Sequence, residues 1–346
     1  MRPEFHLPST WRRACAVAAI TAIGLLGIVG SGGSVDAPEC SFFSSTCNPG
    51  GGSVEPSAAA LVVPARQSVQ AGTTAVFSAQ SNVAAASYQW QRSSDAGQTF
   101  ADIAGATSAA ITLANVQLGD DAVVFRVRVQ GGGASAASIA FASGRLAVSS
   151  LPGVVFEDAD FQPAGWAVSA TADPTQGGPT SSEERLAAGG NPGAQRSMVY
   201  AMTAGTSALR GFHAALSANY DPPSQGAINV IDYREDCIRQ STGTATANVQ
   251  ATVLLEQGGR RYVTATSMLC TAAVWATSDS FMSLKAADFV QLDGPPCQAG
   301  ASCPDFAASA APLRFGFTRR VVLAAGQPAG TVVHGLDNWK VTVWRR

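Results

Sequence analysis

The sequence predicts an all-β chain folded as two successive sandwich domains. Segments that alternate apolar and polar residues recur along it with turn residues between them, as half-buried strands require. Charged residues make up only 13% of the chain, against roughly 25% in an average soluble domain. There are also 35 glycines to supply turns. A chain of 346 residues is long enough to bury two separate cores.

The first thirty residues read as an export signal. Arg12 and Arg13 close a basic stretch, Ala14 to Val29 form an uncharged apolar run, and Gly30-Ser31-Gly32-Gly33 offers small residues for cleavage. The run is shorter than the ~20 residues that span a bilayer comfortably, and retention as an N-terminal anchor is the alternative. The flanks of the arginine pair fit a twin-arginine signal poorly. Neither Cys15, which opens the run, nor Cys40, well past it, stands where a lipoprotein cysteine would. Residues 31–56 are rich in Ser, Gly and Pro and form a flexible tether.

Cysteine usage agrees with export to a secreted, periplasmic or cell-surface location. Beyond the signal stand Cys40, Cys47, Cys237, Cys270, Cys297 and Cys303, an even number that suggests three disulfides. Cys40–Cys47 and Cys297–Cys303 would close small loops, and Cys237–Cys270 would join two strand-like segments, although the pairing itself stays open. A thiolate metal site is the rival. No Cys-x-x-Cys spacing supports it, and only His213 and His334 follow the signal.

Residues 57–148 form the first domain. Strands are expected at 60–64, 73–79, 86–92, 109–114, 122–130 and 138–148. Phe125-Arg126-Val127-Arg128-Val129 alternates apolar with charged, which buries one face and wets the other. Ala71-Gly72-Thr73, Tyr88-Gln89-Trp90-Gln91-Arg92, Thr99 to Thr107 and Asp120-Asp121-Ala122 follow one another in an order that resembles the bacterial immunoglobulin-like domain. The resemblance implies that Trp90 is the core tryptophan of the third strand. It also places Phe77 and Val127 about where antibody domains carry cysteines, so an apolar core must hold the sheets together.

A short joint at 149–153 leads into the second domain, 153–346. Expected strands are 197–203, 208–217, 226–233, 247–256, 260–268, 272–276, 281–284, 313–318 and 330–334. Residues 168–196 and 291–312 read as long irregular stretches of the kind that often carry binding functions. The opening Phe156-Glu157-Asp158-Ala159-Asp160-Phe161 and the closing Gly335-Leu336-Asp337-Asn338-Trp339 resemble the jelly-roll sandwiches of carbohydrate-binding modules and related lectin-like domains. That resemblance implies a structural calcium ion tying the terminal strands, with Glu157, Asp158 and Asp337 as ligands in a hard oxygen shell. The alternative for Asp337-Asn338 is a β-bulge or turn held by hydrogen bonds alone.

No Gly-x-Ser-x-Gly elbow, His-Glu-x-x-His helix, phosphate loop or Rossmann glycine pattern is present. Paired carboxylates could still cleave a glycoside, with Glu157, Asp158, Asp232, Glu235, Asp236, Asp288 and Asp293 as the available acids. The net charge of −2, without a basic patch interleaved with aromatics, gives no case for nucleic acid. For ligand contact, Tyr220 in the loop-like Tyr220-Asp221-Pro222-Pro223 and the charged patch around Asp232 and Tyr233 stand out. The expectation is therefore a secreted non-catalytic protein that recognises a polysaccharide or cell-surface glycan through its second domain. Its alternatives are a structural or adhesive surface protein with a protein partner, and a glycan-cleaving enzyme.

Overall fold

The computed structural model describes residues 59–346 apart from 83–85, 133–138, 173–177, 206, 241–242, 246, 293, 295–296 and 298–301. The export signal, the tether, Cys40 and Cys47 thus lie outside the described residues. All described residues belong to one compact unit, Cys40–Arg346. Within it the regular structure is almost all strand, arranged as two β-sandwiches.

The first sandwich contains β1 (Ala60–Val63), β2 (Arg66–Gln70), β3 (Ala75–Ser81), β4 (Ser87–Ser93), β5 (Ala101–Asp102), β6 (Ala110–Leu113), β7 (Val124–Gln130) and β8 (Ile139–Ser149). One sheet runs β1-β3-β6 and the other β2-β8-β7-β4-β5, with β2 parallel to β8. Trp90 is fully buried opposite Val127, and its indole N–H reaches the carbonyl of Ser108 at 3.0 Å, so the one polar atom of the ring is satisfied. Phe77 and Val127 are both buried in the same apolar cluster, as a core without cysteines requires. Gly144 makes this packing possible: a Cβ there would lie 2.7 Å from the Phe77 ring. The strand β2 has no counterpart among the expected segments, because Arg66-Gln67-Ser68-Val69-Gln70 offers a single apolar residue.

The second sandwich contains β9 (Val154–Asp158), β10 (Trp166–Ala172), β11 (Thr180–Gly190), β12 (Gly193–Met202), β13 (Ser207–Tyr220), β14 (Ile228–Gln240), β15 (Asn248–Gln257), β16 (Arg260–Thr264), β17 (Met268–Leu269), β18 (Ala276–Leu284), β19 (Phe289–Gln291), β20 (Leu313–Leu323) and β21 (Gly330–Arg345). One sheet runs β10-β13-β20-β15-β16-β19, with β17 on β15, and the other β11-β12-β21-β14-β18, with β9 on β21. Inward-facing residues such as Met198, Tyr233, Val253, Phe315 and Trp339 fill the space between them. The stretch 168–196, expected to be irregular, instead holds most of β10, all of β11 and the start of β12. Sequence periodicity misses β11 because Thr180–Gly190 lies at the sheet edge with no buried residue, so nothing selects an apolar face.

The two sandwiches meet through polar contacts. Ser68 Oγ donates to Asp232 Oδ1 at 2.7 Å and lies 2.7 Å from Ser283 Oγ. Asn229 Nδ2 donates to Asp121 Oδ1 and to the Val148 carbonyl, each at 3.1 Å. Ser149 Oγ reaches the Arg345 carbonyl. Asp121, of the Asp120-Asp121-Ala122 segment, therefore serves the interface as well as accepting Val148 N–H at 2.9 Å.

Two disulfides match the expected pairs, Cys237–Cys270 and Cys297–Cys303. Cys237 sits in β14, and Cys270 follows directly after β17 instead of lying within a strand.

Candidate functional site

The three expected calcium ligands do not come together. Glu157 and Asp158 are successive residues of β9, facing opposite ways, and each has its own partner. Glu157 is exposed and pairs with Lys340 Nζ at 3.2 Å. Asp158 accepts the N–H groups of Asp160 and Phe161 and the Trp166 indole N–H, all at 2.8 Å. Asp337 is fully buried beside Asp236 and accepts the backbone N–H groups of Asn191 and Asn338. Asp236 in turn accepts Thr277 Oγ1 and the side-chain amides of Asn191 and Asn338. These donors fasten the tip of the β11–β12 hairpin to the sheet. The Asp337-Asn338 motif is a bulge: Arg234 faces Lys340 and Asp236 faces Asp337, so two steps on β14 oppose three on β21, with Asn338 at φ +49°.

The expected ligand-binding residues are also internal. Tyr220 is fully buried, and its hydroxyl donates to the Gly226 carbonyl at 2.8 Å. Asp232 is buried at the junction of the sandwiches, where its carboxylate accepts Ser68 Oγ, Ser283 N–H and the Trp344 indole N–H. Burial pushes its carboxyl above the usual range, against those hydrogen bonds. Tyr233 is buried and hydrogen-bonded to Glu235. A charged run in sequence reads as a wet patch, but here only Arg234 of the run is exposed, and Asp232, Tyr233, Glu235 and Asp236 are buried on the central strand β14.

Tyr233 belongs to a sealed polar network inside the second sandwich. Arg319 Nη2 lies 2.6 Å from Glu235 Oε1 with neither side chain exposed. Arg319 Nε donates to His334 Nδ1 at 3.4 Å, and Arg196 Nε donates to His213 Nδ1 at 3.2 Å. Burial first, then the neighbouring arginines, hold both imidazoles well below their ordinary range, so both are neutral. All of these side chains are buried. Among the other acids available for glycoside chemistry, Asp288 accepts Lys285 N–H and faces Arg66 at 3.5 Å, and Asp293 lies outside the described residues.

The open site is elsewhere. A groove of about 700 Å³ runs along the end of the six-strand path of the second sandwich, lined by Asn219 of β13, Glu256 of β15, Arg260 and Arg261 of β16, Gln291 of β19 and Arg314 of β20, among others. That volume is within the ~300–1,000 Å³ range of small-ligand sites. Glu256 holds two of the arginines: Arg261 Nε lies 3.1 Å from its Oε1 and Arg314 Nη1 lies 3.6 Å from its Oε2. Arg261 also lies over the Phe212 ring at 4.7 Å, and Arg314 Nε donates to Asn219 Oδ1 at 3.2 Å. Leu292, Pro312 and Leu313 add apolar surface. The sequence hides this groove because its members come from five separate strands, and no two of its charged residues form a recognisable motif.

Residues 59–143 match a family described as a domain of unknown function, DUF8696. No curated protein matches the chain. Among solved structures, the N-terminal four Ig domains of Dscam1 isoform 8.4 are similar at 19% identity, over 27% of this chain and 21% of that one, with a TM-score of 0.22. A structure titled for T cell specificity and activation by the bacterial superantigen toxic shock syndrome toxin-1 is similar at 15% identity, over 26% of this chain and 98% of that one, with a TM-score of 0.23. The chain thus spans about a fifth of the length of the Dscam1 structure. No helix among the described residues is long and apolar enough to cross a membrane.

Proposed function

We propose that the chain is an exported, non-catalytic binding protein whose second sandwich holds a glycan in the groove between Asn219, Arg260, Gln291 and Arg314. The observation that carries this reading is the groove itself. It is an open concavity on the second sandwich where side-chain amides and guanidinium groups stand beside apolar surface, a combination suited to hydroxyl-rich, partly apolar sugar rings. The reading is non-catalytic because the groove's one described carboxylate, Glu256, is engaged by Arg261 and Arg314 and has no second described carboxylate beside it to share acid–base work. The first sandwich acts as a rigid mount, fixed to the second through Ser68, Asp121 and Ser149. The two described disulfides suit an oxidising compartment.

A glycan array probed with the full chain tests this, with a Gln291→Ala/Arg314→Ala variant alongside. Binding to at least one class of saccharide, lost in the variant while the melting midpoint is kept, is the expected result. Silence across the array, or equal binding by the variant, would reject the groove as the site.

A further inference from the structure

We infer that the ligand of this groove is a carboxylate-bearing saccharide, a segment of uronate-containing polymer, and that Arg260 reads its carboxylate. The inference rests on the glycan-binding reading above and narrows it. The described lining residues carry three guanidinium groups and one carboxylate, an excess of positive charge in a chain whose net charge is −2. The three arginines are not equivalent. Arg261 is spent on Glu256 and on the face of Phe212, and Arg314 on Glu256 and Asn219. Arg260 is exposed at the end of the Gly258-Gly259 turn and makes no side-chain hydrogen bond or ion pair with the described residues.

The turn fixes where that side chain starts. Gly258 and Gly259 lie at φ +57° and +75°, values that L side chains rarely adopt, so β15 reverses tightly into β16 and sets Arg260 at the rim. A guanidinium is a planar fork of N–H donors that matches a planar carboxylate bidentately. A neutral sugar leaves that fork unfilled, whereas a uronate fills it. The amides of Asn219 and Gln291 stand on the same groove for ring hydroxyls. One free fork suits a singly charged planar group. A sulfate or phosphate ester can fill the same fork bidentately, and the sulfated sugar in the test separates that source of charge from a uronate. The whole chain repels polyanions weakly, so the attraction is local to the groove and not a property of net charge.

The test is titration calorimetry of the full chain with tetragalacturonic acid, its methyl ester and a sulfated neutral tetrasaccharide. The acid should bind at least tenfold more tightly than the ester. Arg260→Gln should remove that preference by weakening the acid more than the ester, and Arg260→Lys should restore only part of it, since an ammonium cannot bind bidentately. Equal binding of acid and ester overturns the inference but leaves the groove reading intact. Tighter binding of the sulfated sugar overturns the carboxylate assignment. An acid preference that survives Arg260→Gln removes Arg260 from the account. Failure of all three sugars, together with a silent glycan array, takes away the groove reading as well.

Discussion

Glu235 Oε1 and Arg319 Nη2 lie 2.6 Å apart between the two sheets of the second sandwich, and neither side chain is exposed to solvent. Taking two charges out of water is costly, and only their close contact and the added bonds from Tyr233 and His334 offset it. The pair is therefore most sensitive to losing one partner. Glu235→Gln should destabilise the chain by about 3–5 kcal/mol, because Arg319 is left charged in an apolar interior. Replacing both, as Glu235→Leu with Arg319→Met, should recover most of that loss. Urea unfolding of the two variants decides it; a double variant no better than the single one would show that the pair contributes net stability.

The buried imidazoles set the response to acid. In the folded chain His213 and His334 are held well below their ordinary range by burial and by Arg196 and Arg319. The unfolded chain binds protons on both below a pH of about 6.5, while the folded chain refuses them, so stability falls as the pH drops below that value. Each histidine should remove about 1.4 kcal/mol per pH unit in that window. Asp232, raised by burial, acts in the opposite sense: it favours the fold at low pH, and that contribution is lost as the pH rises through its folded value. The stability curve should fall from pH 6.5 and flatten as the carboxyl protonates. His213→Gln should halve the initial slope in denaturation curves taken between pH 7 and 5, and an unchanged slope would refute a neutral buried His213.

Asp232 couples the two sandwiches. Asp232→Ala leaves the buried Ser283 N–H without its acceptor and frees Ser68, at a cost of about 1–3 kcal/mol for the orphaned donor. Calorimetry should then resolve two unfolding transitions where the native chain shows one. A single transition in both proteins would mean that other contacts, Asn229 with Asp121 above all, are enough to couple them.

The two disulfides should differ in weight. By chain entropy, the bridge Cys237–Cys270, with a sequence separation of 33, should contribute about 4 kcal/mol, and Cys297–Cys303, with a separation of 6, about 2 kcal/mol. Paired Cys→Ser variants melted in parallel test the order. Loss of the small loop harming stability more than loss of the large one would contradict it.

The sequence by itself determined the all-β class and an even set of cysteines after the signal, while the resemblance to the immunoglobulin-like domain implied the burial of Trp90, Phe77 and Val127. The class follows from information local to the chain, alternation with a period of two and turn residues, whereas which cysteines pair was left to the structure. β11 stayed hidden because an edge strand without a buried residue carries no apolar signal. Only the tertiary structure decided which polar residues face inward. Asp232, Tyr233 and Glu235 read as a solvated patch, yet β14 lies between β21 and β18, Tyr233 and Glu235 are buried, and Asp232 meets Ser68 of the first sandwich. Glu157, Asp158 and Asp337 read as one cluster because the terminal strands pair. Within that pairing Asp158 faces Trp339 and Glu157 faces Lys340, while the bulge at Asn338 lets Asp337 turn toward Asp236. The groove of Arg260, Arg261 and Arg314 exists only once β13, β15, β16, β19 and β20 end side by side. Side-chain direction within a strand follows from sequence periodicity, but which strands become neighbours, and at what register, is set by the packing of the whole sandwich.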